Sequence, residues 1–294
     1  MKRKRRQAIQ GIIYVLPSFV LLLCFSLIPI CMSIYYSFMD YNVMTQPKFI
    51  GLSNYIKMFN DSYFWVSMKN TLVYVILTVP LQVVLPLVFA AFLAQKLADA
   101  RLGGLLRSLI FIPVIASSVT VGSIWKIIFA ADNGILNRIL EVFNIAPINW
   151  LGTKEFALLS ICIVAIWRDV GYFLVIYYAG IRNISRDYYE AARVDGATRF
   201  QQFTKITLPL LKPITYLVVT LGLIWGFQAF DLPYLMTGGG PGYSSVTFVM
   251  GIYNTAFKQY RMGYACANAV VLLILIVGVN LLEDVFFKEK KEAR

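Results

Sequence analysis

Long apolar segments set the strongest constraint on this 294-residue sequence. A helix needs about 20 consecutive apolar residues to cross the hydrocarbon core of a bilayer, which is about 30 Å thick. The charge content agrees, because 14% of the residues are charged, against about 25% in soluble domains. We therefore predict an all-α polytopic membrane protein with six transmembrane helices, at residues 9–36, 71–94, 109–129, 156–181, 210–232 and 264–286.

The distribution of basic residues predicts the orientation of these helices. Membrane proteins concentrate Lys and Arg in their cytoplasmic loops. With both termini in the cytoplasm, the cytoplasmic segments hold three times as many Lys and Arg residues as the external ones. The net charge of +12 is then a feature of membrane topology, and nucleic-acid binding is disfavoured. A seventh apolar segment, residues 246–257, is too short to cross and is predicted to be interfacial or re-entrant.

Several kinds of site are excluded by what the sequence lacks. It contains no histidine, which removes most general-base chemistry and histidine-ligated metal sites. No G-x-x-x-x-G-K-[ST] sequence is present, and the glycine run at residues 238–242 lacks the P-loop lysine, so we interpret that run as an external turn. Four cysteines lie in apolar segments without metal-site or disulfide spacing, and we interpret them as small buried side chains: Cys24, Cys31, Cys162 and Cys266.

One loop, at residues 185–213, lies between the fourth and fifth predicted spans and has an unusual pattern. Capping-box spacings at Asp187 and at Thr198 each predict the start of a short helix. Gly196, between them, supplies the left-handed residue that commonly ends a helix. The pattern predicts a helix–glycine–helix elbow on the cytoplasmic side. An amphipathic helix on lipid headgroups has a similar shape, but a pair of small alanines favours packing into a protein groove.

The elbow resembles the EAA loop of binding-protein-dependent ABC importer permeases. That resemblance rests on Glu190-Ala191-Ala192, Asp195-Gly196-Ala197, Phe203, Ile206, Leu208-Pro209 and Pro213. Other segments resemble the carbohydrate-importing, maltose-system branch of the family: Phe49-Ile50-Gly51-Leu52-Ser53-Asn54-Tyr55, Asn70-Thr71-Leu72, Phe111-Ile112-Pro113 with Ile124-Trp125, and Thr237-Gly238-Gly239-Gly240-Pro241 with Ile252-Tyr253. The resemblance therefore implies a single ABC importer transmembrane domain over residues 1–294.

The resemblance also implies a division of labour among several chains in a prokaryotic cell membrane. This chain would pair with a second six-span permease, and the branch favours a distinct heterodimer partner over a second copy. Two ATP-binding cassette subunits would bind ATP and Mg, leaving no cofactor in this chain, and an extracellular or periplasmic solute-binding protein would deliver a sugar. The elbow would be the coupling helix that contacts an ATPase subunit, through Glu190, Ala191, Ala192, Arg193, Asp195, Gly196, Ala197, Arg199 and Phe203.

Polar residues inside the predicted spans are candidates for the substrate pathway, because charges at membrane depth are costly and commonly functional. Arg168 and Asp169 lie at the centre of the fourth span, and consecutive side chains leave a helix about 100° apart, so we expect them not to face each other. Carbohydrate sites combine aromatic faces with carboxylates and amides, whereas the alternative role is a polar clamp between helices or subunits. The candidate set is Trp167, Arg168, Asp169, Gln82, Gln228 and Asp231.

We therefore predict a permease subunit that moves a sugar or an oligosaccharide into the cytoplasm by ATP-driven alternating access. One alternative is an ion-coupled secondary transporter that uses Arg168 and Asp169, which would predict a weak repeat between the two halves of the chain. No such repeat is evident in the sequence. A receptor or an intramembrane enzyme is the third class, and the absence of H-E-x-x-H and G-x-S-x-G sequences disfavours the enzyme.

Overall fold

A computed structural model describes residues 13–96 and 101–288. The basic segment 2–6, the start of the first predicted span (9–12) and the basic segment 289–294 lie outside the described residues. In chain order, the described elements are α1 (Ile13–Ser37), β1 (Met39–Asp40), β2 (Lys48–Phe49), α2 (Ser53–Phe59), α3 (Ser62–Lys96), α4 (Arg101–Ile115), α5 (Ser118–Ile128), α6 (Ile135–Val142), α7 (Lys154–Arg182), α8 (Arg186–Val194), α9 (Arg199–Gln202), α10 (Leu208–Leu210), α11 (Lys212–Phe227), α12 (Asp231–Met236), α13 (Phe248–Tyr253) and α14 (Met262–Lys288). Three π-helical turns accompany them, at Leu23–Leu27, Phe203–Thr207 and Asn254–Lys258.

Five helical segments in this described part are long and apolar enough to cross a membrane. They are α1, α3, α7, α11 together with α12, and α14, and they correspond to the first, second, fourth, fifth and sixth predicted spans. The segment at 246–257 contains only the short α13 and part of a π-helical turn, and it is not among the five. The prediction of a mostly helical, multi-span chain is therefore confirmed.

The third predicted span, residues 109–129, is not one straight helix. α4 and α5 meet at an angle of 99°, so they provide a sixth span only if the pair is counted as one. The break follows from a serine cap: Ser117 has an extended backbone, and its hydroxyl accepts a hydrogen bond from the Thr120 amide at 3.2 Å. Apolar content alone does not reveal such a cap, which is why the sequence predicted a continuous span.

The chain divides into two compact units. The first contains α1, the antiparallel hairpin of β1 and β2, α2, and α14 as far as Ile274. Asn54 fixes the hairpin to the end of α1, because its amide donates to the carbonyl oxygens of Ser37 and Met39, each at 2.9 Å. Gly263 approaches this hairpin so closely that a Cβ would lie 2.1 Å from the Met39 carbonyl oxygen. Only glycine fits there.

The second unit contains the elements from α3 to α12, and its core is arranged along α7. Two clusters of buried apolar side chains pack at successive levels of this helix. One cluster takes residues of α7 up to Ala165, and the other begins at Phe173. Arg168 and Asp169 therefore occupy a polar layer between two apolar ones. Of the four cysteines interpreted as buried, Cys162 is buried in the first cluster and Cys266 is partly buried, but Cys24 and Cys31 are exposed on α1, so the interpretation is wrong for those two.

Close helix packing at Gly171 gives a first testable prediction. A Cβ at this position in α7 would lie 2.2 Å from the Ile110 carbonyl oxygen of α4. We expect Gly171→Ala to force the two helices apart and to lower the free energy of unfolding by about 1–3 kcal/mol, the usual cost of overpacking. The measurement is thermal unfolding of the purified chain in mild detergent, followed by tryptophan fluorescence.

Gly278→Ala in α14 is the matched control for this prediction. A Cβ there meets nothing within 4 Å, and alanine is the better helix former. The unfolding temperature of this variant should therefore equal or exceed that of the wild type. Equal unfolding temperatures for the two variants would contradict the close approach of α7 and α4.

Candidate functional site

A hydrogen-bonded group of polar side chains from four helices surrounds the guanidinium of Arg168. Arg168 of α7 donates from Nε to Asp169 Oδ1 at 2.8 Å and from Nη1 to Asp231 Oδ2 at 2.9 Å. Ser118 of α5 donates to the same oxygen of Asp231 and accepts from Arg168 Nη1 at 3.3 Å. Gln82 of α3 donates from Nε2 to Asp169 Oδ2 at 2.9 Å. We call these five side chains the charge network. Asp231, the member not yet assigned to a helix, comes from α12.

The expectation that Arg168 and Asp169 do not face each other is wrong. Their Cβ atoms leave α7 about 100° apart, but the arginine stem is long enough to return Nε to the neighbouring carboxylate. A charge taken out of water is driven strongly to find a partner. The same guanidinium also reaches Asp231, so one arginine pairs with both carboxylates.

The other predicted pathway residues fall into two groups. Gln82 and Asp231 belong to the charge network. Trp167 instead packs against Trp125 of α5, with ring centroids 5.4 Å apart in an edge-to-face arrangement. Gln228 is exposed where α11 ends. The structure thus brings four of the six candidates together.

A cavity of about 300 Å³ opens beside the charge network. Two aromatic rings in its lining, those of Tyr172 and Trp225, have centroids 5.0 Å apart. Charged, hydroxyl and aromatic groups in one concave space are typical of a small-molecule site. The lining consists of Arg168, Asp169, Asp231, Tyr172, Trp225, Val114 and Ser118.

Three polar or aromatic lining residues were missed by sequence reasoning. Tyr172 follows Arg168 by four positions in α7, a spacing that places both on one face of a helix, so a local signal for it existed. Ser118 and Trp225 come from α5 and α11. Only the folded arrangement brings them to Arg168, and no local pattern identifies them.

The glycine run lies in a turn that is fixed to α3. Asn70 donates from Nδ2 to the carbonyl oxygens of Tyr243 and Val246, at 2.8 and 3.0 Å. Thr71 accepts at Oγ1 from the Phe248 amide at 2.7 Å. The residues that follow the glycine run are therefore hydrogen-bonded to Asn70 and Thr71, and the structure supports the interpretation of the run as a turn.

The elbow is present as two helices separated by a left-handed glycine. Gly196 has a φ of 77°, and the second capping box is confirmed, because Thr198 and Gln201 exchange hydrogen bonds between side chain and amide. The first capping box, predicted at Asp187, is wrong. Ser185 caps α8 by accepting from the Asp187 amide at 3.3 Å, while the Asp187 carboxylate accepts from the Ser185 hydroxyl at 3.0 Å.

One hydrogen bond fixes the elbow to the helical segment that follows it, and a second lies within the elbow. Tyr189 of α8 and Thr207 share a hydrogen bond between their hydroxyls, 2.8 Å long. Gln202 donates from Nε2 to the Ala197 carbonyl oxygen at 3.0 Å. Phe203 packs against the second apolar cluster of the core. The elbow is therefore attached to the helical core by a hydrogen bond and by apolar packing.

The coupling candidates lie mostly on the surface of the elbow, and α8 contains no buried residue. Val194 and Phe200, which sequence reasoning did not single out, are 89% and 75% exposed although both are apolar. Apolar side chains beside charged ones are a combination that protein interfaces also have. The exposed candidates are Glu190, Ala191, Arg193, Asp195, Gly196 and Arg199, and the partly buried ones are Ala192, Ala197 and Phe203.

Comparison with known proteins places both features in one family. Residues 69–291 match the family described as binding-protein-dependent transport system inner membrane component. The chain belongs to this family. The matched range contains the charge network and the elbow, so both are parts of a transport-system inner membrane component, and the resemblance inferred from the elbow sequence is confirmed.

Relatives of this inner membrane component match along nearly its whole length. The probable ABC transporter permease protein YurN of Bacillus subtilis (strain 168) is 35% identical over 283 residues, which is 95% of this chain and 96% of YurN. The trehalose/maltose transport system permease protein MalF of Thermococcus litoralis is 32% identical over 281 residues, 95% of this chain and 93% of MalF. This chain is thus an ABC transporter permease and not an enzyme, and this assignment disfavours the ion-coupled alternative.

Solved structures share the fold of this permease. The crystal structure of a bacterial ABC transporter involved in the import of the acidic polysaccharide alginate has a TM-score of 0.82 at 22% identity, over 98% of both chains. A bacterial alginate ABC transporter in complex with its alginate pentasaccharide-bound periplasmic protein has a TM-score of 0.82 at 21% identity, over 98% of this chain and 96% of that one. At this identity the likeness establishes the fold alone.

The charge network predicts a specific pattern of stability in variants. Arg168→Gln removes its one cation and leaves two carboxylates without a guanidinium. Removing one member of a buried charge pair costs about 3 kcal/mol or more, so the thermal unfolding temperature in detergent should fall. Arg168→Gln combined with Asp231→Asn removes one of the stranded carboxylates and should recover part of the loss.

Arg138→Gln, at an exposed arginine of α6, is the control and should leave the unfolding temperature unchanged. If the double variant were no more stable than Arg168→Gln alone, the pairing of Arg168 with Asp231 would not be the source of the effect.

Proposed function

We propose that this permease is one of two membrane subunits of an importer that moves a sugar or an oligosaccharide into the cytoplasm by ATP-driven alternating access. The observation that carries the proposal is the elbow, which is fixed to the core by Tyr189 and Thr207 and is exposed on its other side. The name of MalF supplies the substrate class. The carboxylate and aromatic lining of the cavity suits a carbohydrate.

The exposed side of the elbow suits contact with a separate ATP-binding cassette subunit. Val194 and Phe200 offer apolar anchors, and the charged side chains of Glu190, Arg193 and Arg199 surround them in the sequence. Protein interfaces combine an apolar centre with a polar rim in this way. In this proposal ATP and Mg bind to the partner subunit, and this chain contributes no cofactor.

Both helical segments that flank the elbow lead to the charge network. α7 enters the elbow, and the helical rise of about 1.5 Å per residue places Arg168 about 20 Å from Arg182. α11 leaves the elbow and is followed by Asp231 at the start of α12. A pull on the elbow is therefore transmitted along both segments. The ion pair between Arg168 and Asp231 joins them at the far end.

Alternating access follows from this arrangement in physical terms. Closure of the ATPase subunits would displace the elbow as a unit, because Tyr189 of α8 is hydrogen-bonded to Thr207 in the following segment and Gln202 of α9 is hydrogen-bonded to Ala197 within the elbow. α7 and α11 would tilt with it, as rigid elements do in domain closure. The cavity beside the charge network would then change the side of the membrane to which it opens.

The remaining partners and the orientation belong to the same proposal. The distribution of Lys and Arg supports a cytoplasmic location for both termini and the elbow in a prokaryotic cell. A second, distinct permease completes the pathway, and an extracellular or periplasmic solute-binding protein delivers the sugar. The solved alginate transporter carries a periplasmic protein of this kind.

Val194→Glu tests the docking of the elbow. A carboxylate placed in an apolar contact is costly, so we expect uptake of the sugar carried by the binding protein to fall at least tenfold in liposomes containing the assembled importer. Folding should be unaffected, because Val194 is 89% exposed. Val142→Glu, at a valine of α6 that is 78% exposed, is the matched control. Wild-type uptake by Val194→Glu would contradict the coupling role.

Tyr189→Phe tests the stiffness of the joint. It removes the hydroxyl that bonds to Thr207 and keeps the ring, at a cost of about 1 kcal/mol for one hydrogen bond. We expect the amount of sugar transported per ATP hydrolysed to fall severalfold while hydrolysis continues. Tyr188→Phe, at the exposed neighbouring tyrosine, is the control. An unchanged ratio in Tyr189→Phe would show that the joint plays no part in coupling.

A further inference from the structure

The cavity beside the charge network carries an excess of negative charge. Its lining contains two carboxylates, Asp169 and Asp231, and one guanidinium, Arg168. Each carboxylate accepts a charge-assisted hydrogen bond from Arg168, at 2.8 and 2.9 Å, and such bonds stabilise the ionised form. One guanidinium compensates a single negative charge, so one negative charge remains in the lining.

The two carboxylates differ in how far they reach solvent. The Asp231 side chain is 43% exposed, whereas that of Asp169 is 11% exposed. Asp169 is also held by the amide of Gln82. The excess charge is therefore presented to a solute mainly by Asp231. Charges act more strongly in such a site than in bulk water, because the surrounding dielectric constant is lower.

The rest of the lining suits the uncharged parts of a sugar. Trp225 is 38% exposed, and its ring lies 5.0 Å from that of Tyr172 between centroids. Flat aromatic faces pack against the apolar side of a sugar ring, and the Ser118 hydroxyl and the Asp231 carboxylate can bond to sugar hydroxyls. The volume of about 300 Å³ is at the lower end for small-molecule sites, which fits a short saccharide segment.

We propose that this cavity is an anion-excluding sugar site, which admits uncharged saccharides and rejects uronates and sugar phosphates. The inference rests on the proposed function, since it names the class of sugar that the same importer carries. Asp231 sets the selectivity, and Arg168 holds Asp231 in place. Among the described residues, Arg168 is the only cation in the lining, and both carboxylates already engage it, so no free positive charge there would recognise an acidic sugar.

Charged thiol reagents measure this selectivity directly. Val114 lines the cavity and lies outside the charge network, so Val114→Cys, in a chain whose four native cysteines are replaced, places one reactive thiol there. The probes are a cationic and an anionic methanethiosulfonate of similar size, applied to the assembled transporter in detergent. Each rate is divided by the rate of the same reagent with a free thiol, which removes intrinsic reactivity.

We expect the normalised rate of the cationic reagent to exceed that of the anionic one at least tenfold at Val114→Cys. Asp231→Asn should lower this ratio about tenfold. Val142→Cys in α6, which is highly exposed and does not line the cavity, should give a ratio near one. A ratio near one at Val114→Cys in the otherwise native lining would overturn the proposal, and this arm does not depend on whether the Asp231→Asn variant folds.

Protection by sugars provides the second readout. Maltotriose, an uncharged trisaccharide, should slow the labelling of Val114→Cys, whereas trigalacturonate at the same concentration should not. Equal protection by both would overturn the exclusion of anions. A failure of the importer proposal is distinguishable, because it would appear as a transporter that shows the charge preference at Val114→Cys yet imports no sugar at all.

Discussion

The pairing of the Arg168 guanidinium with two carboxylates is the interaction on which the rest of the second unit depends. This guanidinium lies between two apolar layers along α7. A charge in such surroundings is tolerated only with partners, and Arg168 finds them in Asp169 and Asp231. Those partners draw α12 and, through Gln82 and Ser118, α3 and α5 to the same level. The cavity opens beside this polar layer.

The same interaction connects the centre of the helical bundle to its most exposed part. α7 carries Arg168 and leads into the elbow, and α11, which leaves the elbow, ends at Phe227 shortly before Asp231 at the start of α12. The Arg168–Asp231 ion pair therefore connects the two helical segments at one end, and the Tyr189–Thr207 hydrogen bond connects them at the elbow. A permease needs an exposed segment that is attached to helices connected at both ends if a movement of the partner ATPase is to reach the solute cavity.

Most features that depend on neighbouring residues were predicted from the sequence, except the helix caps at Ser117 and Ser185, and features that depend on tertiary contacts were not. Long apolar segments gave the spans, because crossing a bilayer is a matter of local length, and the Thr198 box and Gly196 gave the elbow. The cap at Ser117 divides the third predicted span into two helices, although the span is apolar on average. Trp225 reaches the site only through the fold. The pairing of Arg168 with Asp169 was missed because the sequence argument considered the directions of the two Cβ atoms and not the length of the arginine side chain.

Purification of this chain from its native membrane in mild detergent tests the central claim most directly, with the co-purifying proteins identified by mass spectrometry and ATP hydrolysis assayed. The account predicts a complex that contains a second six-span permease and an ATP-binding cassette protein and that hydrolyses ATP. A chain that purifies intact, stable and alone, with no ATPase activity, would contradict it and would make the elbow a helix that rests on the membrane surface.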